Sequence, residues 1–238
     1  MTSQVAAMIL IQLAVLAGAN EGFQSGSPVL YTVTDMANNT AGGARFEKQI
    51  GAHVAKLAMY AATRFTWIVF NQTDDLTQRK NVSRIDLFIN NGTAARTNGT
   101  SIQVDANYIA NYTGNLRRQF NGMMYQEVAR IWQWTGNGQA PEGLVSGIAH
   151  FVRLQARYGT VEKVRPGEGH RWDQGNGVTA RFLIYCNQLN KGFVGELNRK
   201  MRYGYTDGYF LDLLGKTVEQ LWSNYKDNHA RDSARHHA

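Results

Sequence analysis

Glu127 and Arg130 stand three residues apart in a stretch whose apolar residues recur at helical spacing, so one helical face carries both side chains. Opposite charges at that spacing form an intrahelical ion pair, the first chemistry the pattern offers. A sharper possibility joins Glu127 to His150 as a carboxylate–imidazole acid–base pair. Such a pair needs a nucleophile or an oxyanion site beside it, and nothing in the sequence identifies either. His53 and His170 have no useful metal-ligand spacing to Glu127 or His150, and the adjacent His236 and His237 lie in a polar, aperiodic C-terminus. Cys186, the only cysteine, sits in an apolar helical pattern, which predicts a buried, inert thiol.

These residues must be placed by two kinds of element. The first half of the chain reads as strands and one long helix. Residues 29–34 are β-rich, and 84–90 alternate with Ile85, Leu87 and Ile89 inward. Ile102 and Val104 share a face in a third strand candidate at 101–105. Gly42-Gly43 marks a turn before a helix at 44–64, and residues 65–70 extend it or form a short strand. From Leu116 onward helices are expected at about 116–134, 142–157, 176–190, 192–203, 206–214 and 216–228. Strands early and helices late define an α+β fold.

The chain has 238 residues, 43% hydrophobic and 18% charged, with no Pro/Ser-rich linker or internal repeat. One domain is expected over 20–228, followed by a disordered tail at 229–238. Residues 1–19 read as a signal peptide: Val5 to Ala17 is mostly apolar, and Ala17-Gly18-Ala19 has the form of a cleavage site. Asn-x-Ser/Thr acceptors occur at Asn38, Asn71, Asn81, Asn91, Asn98 and Asn111, where composition alone gives about two. Both features point to a secreted, extracellular glycoprotein. The formal charge of +7 favours acidic polysaccharide, membrane surface or nucleic acid in general, but the basic residues are dispersed among acids. That dispersion argues against a nucleic-acid partner, and no segment is long and apolar enough to span a membrane. A monomer is expected.

Several blocks together resemble the plant basic secretory proteins. They are Ile131-Trp132-Gln133-Trp134-Thr135-Gly136-Asn137-Gly138-Gln139-Ala140-Pro141, Phe151-Val152-Arg153-Leu154, Arg171-Trp172-Asp173-Gln174-Gly175, Val178-Thr179-Ala180-Arg181-Phe182-Leu183 and Phe210-Leu211-Asp212-Leu213-Leu214-Gly215-Lys216-Thr217-Val218. The resemblance covers nearly all of 28–226. It implies a zincin-like metallopeptidase fold, with a small twisted sheet packed on helices and the 116–134 helix beneath a cleft. It also implies a zinc cofactor, held by H-E-x-x-H on that helix and by the Glu of an E-x-x-x-D on the next. Two His at i and i+4 share a helix face and can reach one ion, and the Glu between them activates water.

At those positions this chain reads Gln126-Glu127-Val128-Ala129-Arg130 and Ser146-Gly147-Ile148-Ala149-His150. Only Glu127, the general-base position, matches. An amide is a weak zinc ligand, a guanidinium brings positive charge and only donors, and Ser146 removes the carboxylate. The expectation is therefore no bound metal and no catalysis. It leaves a secreted relative with an extracellular, defence-related binding role toward peptide or glycan. The competing expectation is a metallopeptidase-like hydrolase that keeps activity through Glu127 and unrecognised ligands. Trp132 and Trp134 cannot face the same way on a helix, so one belongs in the core and the other near the cleft. Trp172-Asp173 either lines a groove or pins a loop.

Overall fold

The computed structural model of the protein describes residues 29–73, 76–92, 96–159 and 164–235. The expected leader lies outside them. The chain gathers into two compact units, one built from residues up to Thr66 and from Lys80–Trp132, the other from Trp67–Arg79 and the residues from Gln133 onward.

The first unit holds a four-stranded sheet. Its strands are β1 (Leu30–Asp35), β2 (Arg84–Asn90), β3 (Arg96–Asn98) and β4 (Ser101–Asp105), in the order β1-β2-β4-β3. β1, β2 and β4 run parallel, and β3 closes the sheet antiparallel to β4. The alternation of β2 buries Ile85, Leu87 and Ile89 completely. In register, Leu87 stands opposite Ile102 and Ile89 opposite Val104, so one apolar row crosses two strands. Parallel neighbours need long crossovers. Between β1 and β2 the crossover includes α1 (Ala41–Gln49) and α2 (Gly51–Val69).

The single helix expected at 44–64 is thus two helices. The break falls at Gly51, whose φ of +73° suits glycine and not a continuing helix. Gly42-Gly43, expected as a turn, lies in the first turn of α1. A Cβ at Gly42 would stand 2.0 Å from the Ala106 carbonyl oxygen, so glycine here permits close backbone approach. Thr40 caps α1 by accepting from Gly43 N at 3.1 Å. Short α3 (Ala106–Asn111), capped by Asp105, precedes α4 (Leu116–Trp132). Phe46 packs on Phe120, and Phe65 meets Tyr125 edge-on at 5.3 Å, which fixes α4 in this unit's core.

The second unit is helical among its described residues: α5 (Glu142–Gln155), α6 (Asn176–Leu189), α7 (Phe193–Lys200), α8 (Gly208–Leu214) and α9 (Val218–Arg235), with a 3-10 turn at Leu76–Gln78. α5 and α6 pack closely because glycines line the contact. A Cβ at Gly143 would lie 1.7 Å from the Asp173 carbonyl oxygen, and one at Gly147 2.3 Å from the Thr179 methyl. Phe182 anchors an aromatic cluster with Trp172, Phe210, Trp222 and Tyr225. α9 continues through Arg235, well past 228 and into the residues expected as a disordered tail. Its extension has a packing reason: the His229 ring meets the Tyr225 ring at 4.9 Å, and Lys226 donates to the Gly167 and Gly169 carbonyls. Residues 236–238 lie outside the described set.

Cys186 is fully buried in α6, and burial pushes its thiol far above the usual range. The folded protein should therefore resist thiol reagents at pH 8, with modification appearing only across the unfolding transition. Gly143→Ala should lower stability by about 1–3 kcal/mol through overpacking. Gly208→Ala, which meets nothing closer than 3.5 Å, should not lower the urea midpoint.

Candidate functional site

α4 is amphipathic in an unusual sense, since its buried face includes a carboxylate. Glu127 is only 2% exposed. A carboxylate removed from water must find donors, and among its partners in the first unit are Thr97, Gln126 and Arg130. Thr97 Oγ1, on β3, donates to Glu127 Oε2 at 2.8 Å and also lies 3.2 Å from the Glu127 backbone oxygen. The hydroxyl has one proton, and the shorter contact is the charge-assisted one. Gln126 Nε2 donates to the other carboxylate oxygen at 3.0 Å. Arg130 Nε stands 3.5 Å from Oε2, the i,i+3 ion pair that the spacing predicts. Both carboxylate oxygens are thus engaged, and one of them joins α4 to the edge strand.

The second set of motif residues falls in the second unit. Ser146, on α5, donates from its hydroxyl to the Gly143 carbonyl at 3.1 Å and accepts from Asn176 N at 3.1 Å. It therefore ties the first residue of α6 to α5. His150 is buried one turn further on, with Nδ1 3.2 Å from the Ser146 carbonyl oxygen. The aromatic candidates separate by burial. Trp132 is 2% exposed at the end of α4, whereas Trp134 is half-buried in the second unit and donates from Nε1 to the Gln78 carbonyl. The guanidinium of Arg202 lies 5.4 Å from the Trp134 ring centre. Trp172 packs on Phe210 at 5.4 Å, and its carbonyl accepts from Thr179. Asp173 holds Arg171 through two bonds of 2.9 and 3.0 Å. These contacts hold the loop that carries Trp172 and Asp173.

Neither unit presents, at its motif positions, side chains that fit a zinc ion. In place of two imidazoles α4 presents an amide whose nitrogen is spent on Glu127 and a guanidinium that cannot give a lone pair. In place of a carboxylate α5 presents a hydroxyl engaged by backbone groups on both sides. Among the described residues no three His, Cys, Asp or Glu side chains are grouped to hold a metal ion. The sequence reading missed Thr97. β3 has three residues and no period to detect, and a contact across 30 positions leaves no local signal.

Comparison with known proteins makes the family plain. The chain belongs to the BSP family, described as "Peptidase of plants and bacteria", whose model matches residues 27–225. It is similar to a "Basic secretory protease" of Boswellia serrata, with 49% identity over 55 residues. That match takes in 23% of this chain and spans 61% of the relative's length. No solved structure matches the chain.

If the Thr97 hydroxyl supports the buried carboxylate, Thr97→Val should lower stability by about 1–3 kcal/mol in urea titration, since it removes a donor and keeps the shape. Thr97→Ser should retain most of the wild-type value. Equal losses in both variants would assign the effect to methyl packing.

Proposed function

We propose that this protein is a non-catalytic, secreted member of the basic secretory family, in which the zinc-peptidase helix has become a structural seam. One observation carries the reading. Glu127, the general-base position of the family motif, is buried and bonded on both oxygens to Thr97, Gln126 and Arg130. A base that must take a proton from water needs a lone pair directed at that water. Here the carboxylate is turned inward on protein donors, and the residues that flank it cannot replace the missing metal.

Secretion rests on the leader pattern of residues 1–19 and on the six acceptor sequons. All six asparagines are exposed, as a retained glycan requires. No helix among the described residues is long and apolar enough to cross a membrane. The remaining role is extracellular binding of peptide or glycan, in the defence-related setting that the family resemblance implies.

Metal content tests the proposal. After dialysis against a small excess of zinc, mass spectrometry should find far less than one zinc per chain, and peptide digests should show no chelator-sensitive cleavage. A tightly held ion at roughly one per chain, with cleavage abolished by chelator, would overturn the proposal and establish a working metallopeptidase. The combined variant Q126H/R130H restores both imidazoles of the family motif on one face of α4 and should raise the zinc content above that of the wild type.

A further inference from the structure

Trp134-Thr135-Gly136-Asn137-Gly138-Gln139, in the second unit, is tied to the loop that follows α7. Gly136 N donates to the Met201 carbonyl at 2.9 Å, and Asn137 Nδ2 donates to the Tyr203 carbonyl at 3.2 Å. In return Tyr205 N donates to Gln139 Oε1 at 3.0 Å. Gly136 has φ +62°, and a Cβ there would stand 2.5 Å from Tyr205 Cβ, so the two loops close because this position is glycine. The backbone is thereby held on both sides of Tyr203.

The side chains that this clamp presents are aromatic and cationic. Tyr203 is 76% exposed. The guanidinium of Arg202 lies 5.5 Å from its ring centre as well as close to Trp134, so one cation stands beside two rings. Arg202 Nη1 also donates to the Thr77 carbonyl at 2.7 Å, which fixes the guanidinium without neutralising it. Elsewhere in this unit Arg165, Arg171, Arg199 and Lys200 each have a carboxylate within ion-pair distance. Among the described residues Arg202 has none. A guanidinium carries five donors and takes a carboxylate by two parallel bonds, at less entropic cost when it is already held in place.

We infer that Arg202 and Tyr203 form a binding platform for a uronate-bearing glycan. Arg202 pairs with the sugar carboxylate, and Tyr203 lies against the C–H face of the pyranose ring. The inference rests on the extracellular binding role proposed above and commits that role to the glycan. A pyranose has a flat face of C–H groups that can lie on an open ring, whereas an apolar peptide side chain is best held by a pocket around it. The exposed Thr135, Asn137 and Gln139 of the clamp supply polar groups for sugar hydroxyls. The net charge of +7 attracts any polyanion from a distance but does not choose among them. An aromatic face beside an uncompensated cation supplies the choice.

The test is isothermal titration calorimetry on the full chain at about 0.15 M salt, where distant surface charges are screened. The probes are a galacturonate tetramer, its methyl ester and a glutamate tetramer. The uronate should bind about ten-fold or more tightly than either control, since one lacks the charge and the other the ring. Tyr203→Ala and Arg202→Ala should each weaken uronate binding about ten-fold, and Tyr203→Phe should keep it. Lys191→Ala removes an exposed charge from the same unit and should change binding less than about two-fold. Urea midpoints check folding, and the exposure of Tyr203 keeps its variant informative if Arg202→Ala is destabilised. Equal or tighter binding of the glutamate tetramer would overturn the glycan in favour of an acidic peptide. No uronate binding, or equal losses in Lys191→Ala and Tyr203→Ala, would overturn the platform. Zinc content and cleavage are measured on the same sample. Zinc-free, inactive protein that fails to bind the uronate would sink the platform and leave the non-catalytic reading standing. Zinc-loaded, cleaving protein that binds it through Tyr203 would do the reverse.

Discussion

A carboxylate at 2% exposure is the constraint around which the first unit is arranged. Removing such a charge from water costs several kcal/mol unless donors replace the lost hydration. The sequence meets that demand from three directions: one donor from the preceding residue, one from the next turn, and one from a strand 30 positions away. The last of these is non-local, and it couples the edge strand to α4. Protein donors hold both of its oxygens.

The second unit is stabilised differently. Its closest helix contact depends on glycines at positions 143 and 147, where a side chain would collide with the Asp173 carbonyl and with Thr179. Around this seam an aromatic cluster centred on Phe182 supplies apolar area, and Ser146 cross-links α5 to the start of α6. The Ser146 hydroxyl is thus paired on both sides. The short hydroxyl suits a place where two backbones already crowd, as shown by the 2.9 Å that a Cβ at Gly175 would have to Ser146 Oγ.

The sequence revealed those features whose signal is local. β2 and β4 begin and end where Ile85, Leu87, Ile89, Ile102 and Val104 alternate, because a period of two is visible in five residues. The α+β division and the helical C-terminal half follow from the same reasoning. Glu127–Arg130 was legible as a pair because helix geometry alone brings i and i+3 together. The break at Gly51 was hidden by an apolar stripe that continues through it, and the length of α9 by a polar sequence whose packing partners lie some 60 residues earlier. β3, and with it Thr97, could not be found locally. The parallel order of the sheet was equally invisible, since nothing in a strand's own residues states its neighbour.

That parallel order has a kinetic consequence. Thr32 on β1 faces Asp86 on β2 across 54 positions of chain, and the two are joined by a hydrogen bond. During synthesis β1 emerges long before its partner, and closing so large a loop is entropically slow compared with forming the β3–β4 hairpin. The β1–β2 pair cannot close until β2 has been made, and Asn38, Asn71 and Asn81 all precede β2 in the chain. A topology that delays folding also lengthens the interval in which those asparagines are presented as extended peptide. The order of the strands thus sets a clock for any modification that must act before the fold closes.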